Sequence, residues 1–152
     1  MHPTPMALTS LCEELRLDPA KNNIRLLLLD RRRPRHILRC YLAVYSLNEW
    51  CLPYRALSYA WGDPNATTSI SVNGHGISVT RALGSALRHI QDDSSERDKE
   101  GSGVIVIWAD AICINQTSIE EKNHQVSLMF SVYEKASGVI AWLGDADKDS
   151  VN

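Results

Sequence analysis

The residues best suited to chemistry fall in three short stretches. The first holds Ser58, Tyr59, Trp61 and Asp63; the second holds Asp110, Cys113, Asn115 and Gln116, followed closely by Glu120 and Glu121; the third holds Trp142, Gly144 and Asp145. Carboxylates can stabilise developing positive charge at a reacting carbon, as they do in glycoside cleavage. Amides and hydroxyls can orient a polar ligand, and indole faces can stack on a flat one. Glu121 and Asp110 are the candidate catalytic carboxylates. Ser58, Tyr59, Trp61, Asp63, Cys113, Asn115 and Gln116 are the candidate ligand-binding residues.

Each also has an ordinary structural reading. Asp63 before Pro64 can cap a turn. Glu120 and Glu121, after Thr117 and Ser118, sit at capping-box spacing and answer a helix dipole. Asn115 and Gln116 can satisfy loop backbone, and Trp61, Trp108 and Trp142 can anchor a core. Asp110 is harder to dismiss. It directly follows the apolar run Val104–Trp108, and a carboxylate there is costly unless paired, hydrogen-bonded or at an open rim.

Other chemistries are disfavoured. Cys12, Cys40, Cys51 and Cys113 are scattered without a CxxC pair, and no histidine lies at ligand spacing from them, so no metal site is expected. They read as free thiols, mostly buried. His75, His89 and His124 lack a visible acid or nucleophile partner, which argues against a Cys-His or Ser-His hydrolase. A net charge of -2 gives no general attraction to nucleic acid or anionic membranes. Arg31-Arg32-Arg33 reads as a solvated hairpin tip. No apolar run is long enough to span a bilayer, and the N-terminus lacks a secretory pattern; a cytoplasmic location is expected.

The elements that must position these residues can be read from periodicity. Leu8–Leu17 reads as a short amphipathic helix, with residues 1–23 forming that helix and a linker. Ile24–Leu29 and Ile37–Leu47 are strand-like and Tyr54–Ala60 is the next strand. Ser69–Val72 and Ile77–Val79 flank Asn73-Gly74-His75-Gly76, a hairpin signal. Thr80 caps a helix with Leu83, Ala86, Leu87 and Ile90 on its apolar face. Gln91–Gly103 is a polar loop. Val104–Trp108 is a buried strand, Asp110–Gln116 a loop, and a helix follows that should bury Ile119, Val126, Met129, Tyr133 and Ala136. Val139–Leu143 is a last buried strand, and residues 146–152 are a polar tail. Strand–helix alternation from Tyr54 onward implies βαβ crossovers and a mainly parallel sheet, with an N-terminal antiparallel extension and a hairpin insertion. In such a sheet ligands bind beyond the carboxyl ends of the strands, which is where the three stretches fall.

With these residues laid out, the chain resembles the HET domain, the fungal heterokaryon-incompatibility module. The resemblance rests on Ala56-Leu57-Ser58-Tyr59-Ala60-Trp61-Gly62-Asp63, on Trp108-Ala109-Asp110-Ala111-Ile112-Cys113-Ile114-Asn115-Gln116, on Glu121, Gln125, Met129, Tyr133 and Ala136, and on Trp142-Leu143-Gly144. It covers residues 24 to 144, and three long motifs in order are far more specific than one short one. The HET domain in turn is similar to TIR domains, which implies a TIR-like, flavodoxin-like α/β fold over residues 24–145. The resemblance implies a module of self/non-self recognition that triggers regulated cell death through homotypic or heterotypic assembly, with no cofactor of its own. Some TIR domains cleave NAD with a glutamate on the helix after the third parallel strand. Residues 146–152 contain no glutamate, so that residue has no counterpart here. An NAD-cleaving alternative would have to use Glu121 or Asp110, with NAD as substrate. A third alternative is an inactive, truncated relative that modulates full-length proteins.

Overall fold

A computed structural model describes residues 4–31, 38–92 and 103–144. The strands are β1 (Thr4–Pro5), β2 (Asn23–Asp30), β3 (Arg39–Ser46), β4 (Arg55–Tyr59), β5 (Thr67–Val72), β6 (His75–Thr80), β7 (Val104–Trp108) and β8 (Gly138–Trp142). The helices are α1 (Leu8–Glu14), α2 (Arg81–Asp92), α3 (Asp110–Cys113) and α4 (Ile119–Lys135), with a short 3-10 turn at Pro19–Lys21. All eight strands share one sheet in the order β1-β6-β5-β3-β2-β7-β4-β8.

The sheet is mixed rather than mainly parallel. The expected parallel trio is present, with β4 between β7 and β8 and parallel to both. β2 is antiparallel to β3 and to β7, and β5 to β6. The hairpin is not an appendage. β5 pairs parallel with β3, and β6 with β1, so the hairpin extends the main sheet. Asn73 and Gly74 take positive φ at its tip, as a tight two-residue connection requires.

The core is continuous. Leu26, Leu27 and Leu29 of β2, Ile107 of β7 and Leu87 of α2 are fully buried, each side chain contributing about 1.5–3 kcal/mol by leaving water. The face predicted for α2 is the one observed, with Leu83, Ala86, Leu87 and Ile90 buried. The Asp110–Gln116 loop contains one helical turn, α3. The arginine run beyond Arg31, the loop over 93–102 and the polar tail over 146–152 lie outside the described residues, as does Asp145.

α4 departs from the periodicity reading. Its buried residues are Gln125 and Val132; Met129, Tyr133 and Ala136 pack partly against the core, whereas Ile119 and Val126 are exposed. The helix is rotated toward Gln125 because that side chain donates from Nε2 to the Asn23 carbonyl at 2.9 Å. Val139 and Leu143, expected in a buried strand, are exposed: β8 is the last strand of the described sheet and exposes alternate side chains, and Leu143 lies just beyond it.

Candidate functional site

β4 and β7 end side by side, with Ala56 aligned to Trp108, so the residues after both strands share one rim of the sheet. Tyr59, at the end of β4, lies parallel to Trp61, with ring centroids 6.5 Å apart and 10° between planes. Trp108, at the end of β7, is fully buried and meets Tyr133 of α4 edge-on at 5.7 Å. Trp108 is the core anchor expected of the tryptophans, and Trp142 packs in part against the core. Trp61 is 46% exposed, and Trp142 is half-buried against His89, with ring centroids 4.6 Å apart.

Asp110 opens α3 beside these rings. Burial pushes its carboxyl up from the ordinary value, and the Ala111 N–H and Trp61 indole partly offset that rise. Its charge reaches both Tyr59 and Tyr133. The Tyr59 hydroxyl is pushed up to about 12, by burial first and by Asp110 second. It is buried, with the Thr80 side chain as its hydrogen-bond neighbour. The indole N–H of Trp108 is buried with no hydrogen-bond partner among the described residues.

Glu121 sits in a different environment. Ser118 caps α4 by accepting from the Glu121 N–H at 3.2 Å, which is half of a capping box. The other half is missing because the Glu121 carboxylate reaches Arg25 instead. Arg25 Nη1 and Nη2 donate to its two oxygens, both at 2.8 Å. The Asn115 N–H donates to it as well. Burial pushes this carboxyl up, but the bonds from Arg25 and Asn115 outweigh burial and hold it below its ordinary value. Arg25 has no exposed surface; its guanidinium also donates to the carbonyls of Leu15, Cys12 and Cys113. One buried cation thus ties the end of α1, the end of α3 and the start of α4 together.

Other candidate residues take local roles. Cys113 is buried with its thiol pushed up to about 12 by burial, and its sulfur accepts from the Ala109 N–H, so it stays a neutral thiol. Asn115 Oδ1 accepts from the N–H and hydroxyl of Thr117 and from Thr9, which fastens α1 to this loop. Gln116 donates to the Asp110 carbonyl at 2.8 Å. Asp63 accepts from the Asn65 N–H, closing a turn. Ser58 is exposed on β4 opposite Ala141.

The structure therefore gathers Tyr59, Trp61 and Asp110, together with Tyr133, whereas Glu121 is engaged by Arg25. Arg25 was missed at the sequence level. Its signal was a lone charge inside the apolar run Ile24–Leu29, which demands a buried counterion. Two open spaces border the site. A crevice of about 300 Å³ lies among Gly62, Asp63, Arg81 and Trp142, and a groove of about 810 Å³ runs between Arg16 near α1 and Glu120 of α4. Among the described residues no cluster of metal-ligating side chains forms, and no helix is long and apolar enough to cross a membrane.

The family model described as heterokaryon incompatibility protein (HET) matches residues 54–152. The chain belongs to the heterokaryon incompatibility family. It is 41% identical over 105 residues to the Neurospora crassa protein named heterokaryon incompatibility protein 6, OR allele. That match covers 64% of this chain and 15% of the relative, so the chain spans a small part of the relative's length. Comparison with solved structures finds no match. The family match begins at Tyr54, immediately before β4, and so includes the whole aromatic and carboxylate cluster.

Proposed function

We propose that this chain is a self/non-self recognition module of heterokaryon incompatibility that acts in the cytoplasm and triggers regulated cell death through contacts between copies. The observation that carries this reading is the outward face of α4. Phe130 and Val126 lie one turn apart and are 77% and 53% exposed, and Ile119 extends the same stripe. The neighbouring edge strand adds Val139. It aligns with Ala56, which aligns with Trp108, whose ring meets Tyr133 of α4. Side chains in one row across a sheet point the same way, so Val139 lies on the α4 side. Exposed apolar side chains gathered on one side of a domain mark interaction surfaces. The name of the Neurospora crassa relative agrees with this reading, and the engagement of Glu121 with Arg25 weighs against an NAD-cleaving enzyme built on that glutamate.

The test is expression in fungal cells, scored by viability, beside Phe130→Glu. The native chain is expected to kill, and Phe130→Glu, verified as folded by circular dichroism, is expected not to. Undiminished killing by folded Phe130→Glu would contradict the proposal. Nicotinamide release from NAD by purified protein, lost in Asp110→Asn, would favour the enzymatic alternative instead.

A further inference from the structure

The exposed side of α4 carries one more regularity than its apolar stripe. Lys122, Val126, Phe130 and Glu134 follow at four-residue spacing and are all exposed, so they form a single ridge along the 17-residue helix. Its middle is apolar, with Val126 53% and Phe130 77% exposed. Its ends carry opposite charges. Neither Lys122 nor Glu134 has an ion-pair partner among the described residues, whereas Glu121 of the same helix is engaged by Arg25.

The neighbouring ridge is Ile119, Asn123, Ser127 and Ser131, without a charge and narrowed by its two serines. Helices pack by setting the ridge of one into such a groove of the other, and here the groove can receive a large apolar side chain without burying a charge.

Reversed, the Lys122–Glu134 ridge exchanges its charges and keeps its apolar centre. A second copy laid antiparallel therefore sets Lys122 of one chain against Glu134 of the other, twice, with Val126 against Phe130 between them. A parallel second copy sets Lys122 on Lys122 and Glu134 on Glu134, and like-charge repulsion opposes that arrangement. An unrelated partner would need the same order of charge, apolar pair and opposite charge. A second copy already carries it.

We propose that two copies of this chain pair through α4, antiparallel about a twofold axis, with Lys122 and Glu134 deciding which copies match. The pairing rests on the assembly reading of α4 and adds its geometry and its specificity residues. Because both copies use the same patch, the contact closes at two chains rather than growing into a filament. Chains that differ in charge at either position mismatch, which is how a recognition surface rejects a near relative.

Two exposed charge reversals test the pairing by sedimentation velocity, each checked for an unchanged thermal midpoint. Lys122→Glu alone and Glu134→Lys alone each place like charges in both contacts, and each is expected to weaken self-association on the order of tenfold. An equimolar mixture of the two variants regains opposite charges in both contacts and is expected to assemble like the native chain. The double variant Lys122→Glu/Glu134→Lys is expected to do the same. A native chain that remains monomeric overturns the assembly reading and the pairing with it. If the native chain assembles, single reversals that assemble equally well, or a mixture that fails to regain assembly, overturn the antiparallel pairing and leave the assembly reading standing. Should a reversal shift the midpoint, the native chain decides by salt: association that does not weaken as ionic strength rises from about 0.1 to 1 M overturns the charge pairing.

Discussion

Arg25 and Glu121 meet through two 2.8 Å hydrogen bonds, each guanidinium nitrogen on its own carboxylate oxygen, across 96 residues of sequence. This bidentate geometry is the strongest form of a charge-assisted pair. Glu121 is therefore an architectural residue, which neutralises a cation held inside the fold and fixes the start of α4.

Removing either partner leaves the other charge buried. Glu121→Gln is expected to cost about 3 kcal/mol in urea unfolding. Glu120→Gln, on an exposed neighbour, is expected to stay within about 0.5 kcal/mol. The double variant Arg25→Met/Glu121→Leu should lose less than the sum of its single variants, because it leaves no orphan charge. Additive losses would show that the pair is not coupled.

Acid should release the same contact. The Glu121 carboxyl is held below its ordinary value of 4.5 in the folded chain, so the unfolded state takes up its proton first. The stability this supplies is complete above pH 4.5 and is lost as pH falls through the lower folded value. Urea midpoints measured downward from about pH 5 should therefore fall more steeply for the native chain than for Glu121→Gln. Parallel profiles would contradict the assignment.

Asp110 titrates in the opposite sense. Burial raises its carboxyl, so the folded state prefers the proton and stability drops as pH rises from the ordinary value of 3.8 through the folded one. Asp110→Asn is expected to raise the thermal midpoint at neutral pH by a few degrees, because it removes a carboxylate whose burial disfavours the charge. A lowered midpoint would show that the carboxylate is needed to hold the rim together.

A glycine inside α2 is set by packing. A Cβ added at Gly84 would lie 2.7 Å from Thr68 Cγ2 of β5. Gly84→Ala should therefore destabilise, although alanine favours an exposed helix interior by about 1 kcal/mol. Adding Thr68→Ser, which removes that methyl group, should restore most of the loss in thermal melting. A stabilising Gly84→Ala alone would show that α2 can move off the sheet.

Much of this was legible in the residues. β2, β4 and β7 and the β5–β6 hairpin follow from short apolar or alternating runs bounded by turn residues, and α2 from its single apolar face. α4 has two. Ile119, Val126 and Phe130 make one stripe and Met129, Val132 and Tyr133 another, and helical spacing alone cannot choose between them. The choice is made by tertiary polar bonds, Gln125 to Asn23 and Glu121 to Arg25. The mixed sheet was hidden for a related reason: β2 is a nearly uninterrupted apolar run, which fits a buried strand of either direction. The grouping of Tyr59, Trp61 and Asp110 was readable as strand-end residues, whereas the share of Tyr133 in it depends on the rotation of α4.

That rotation leaves Val126 and Phe130 outward, and assembly through them is the central claim. Sedimentation velocity over a roughly hundredfold range of protein concentration tests it most directly, with Val126→Glu/Phe130→Glu run alongside. The native chain is predicted to sediment faster as concentration rises, and the double variant, with an unchanged thermal midpoint, to remain a monomer. A native chain that stays monomeric throughout, or a variant that assembles equally well, would contradict it.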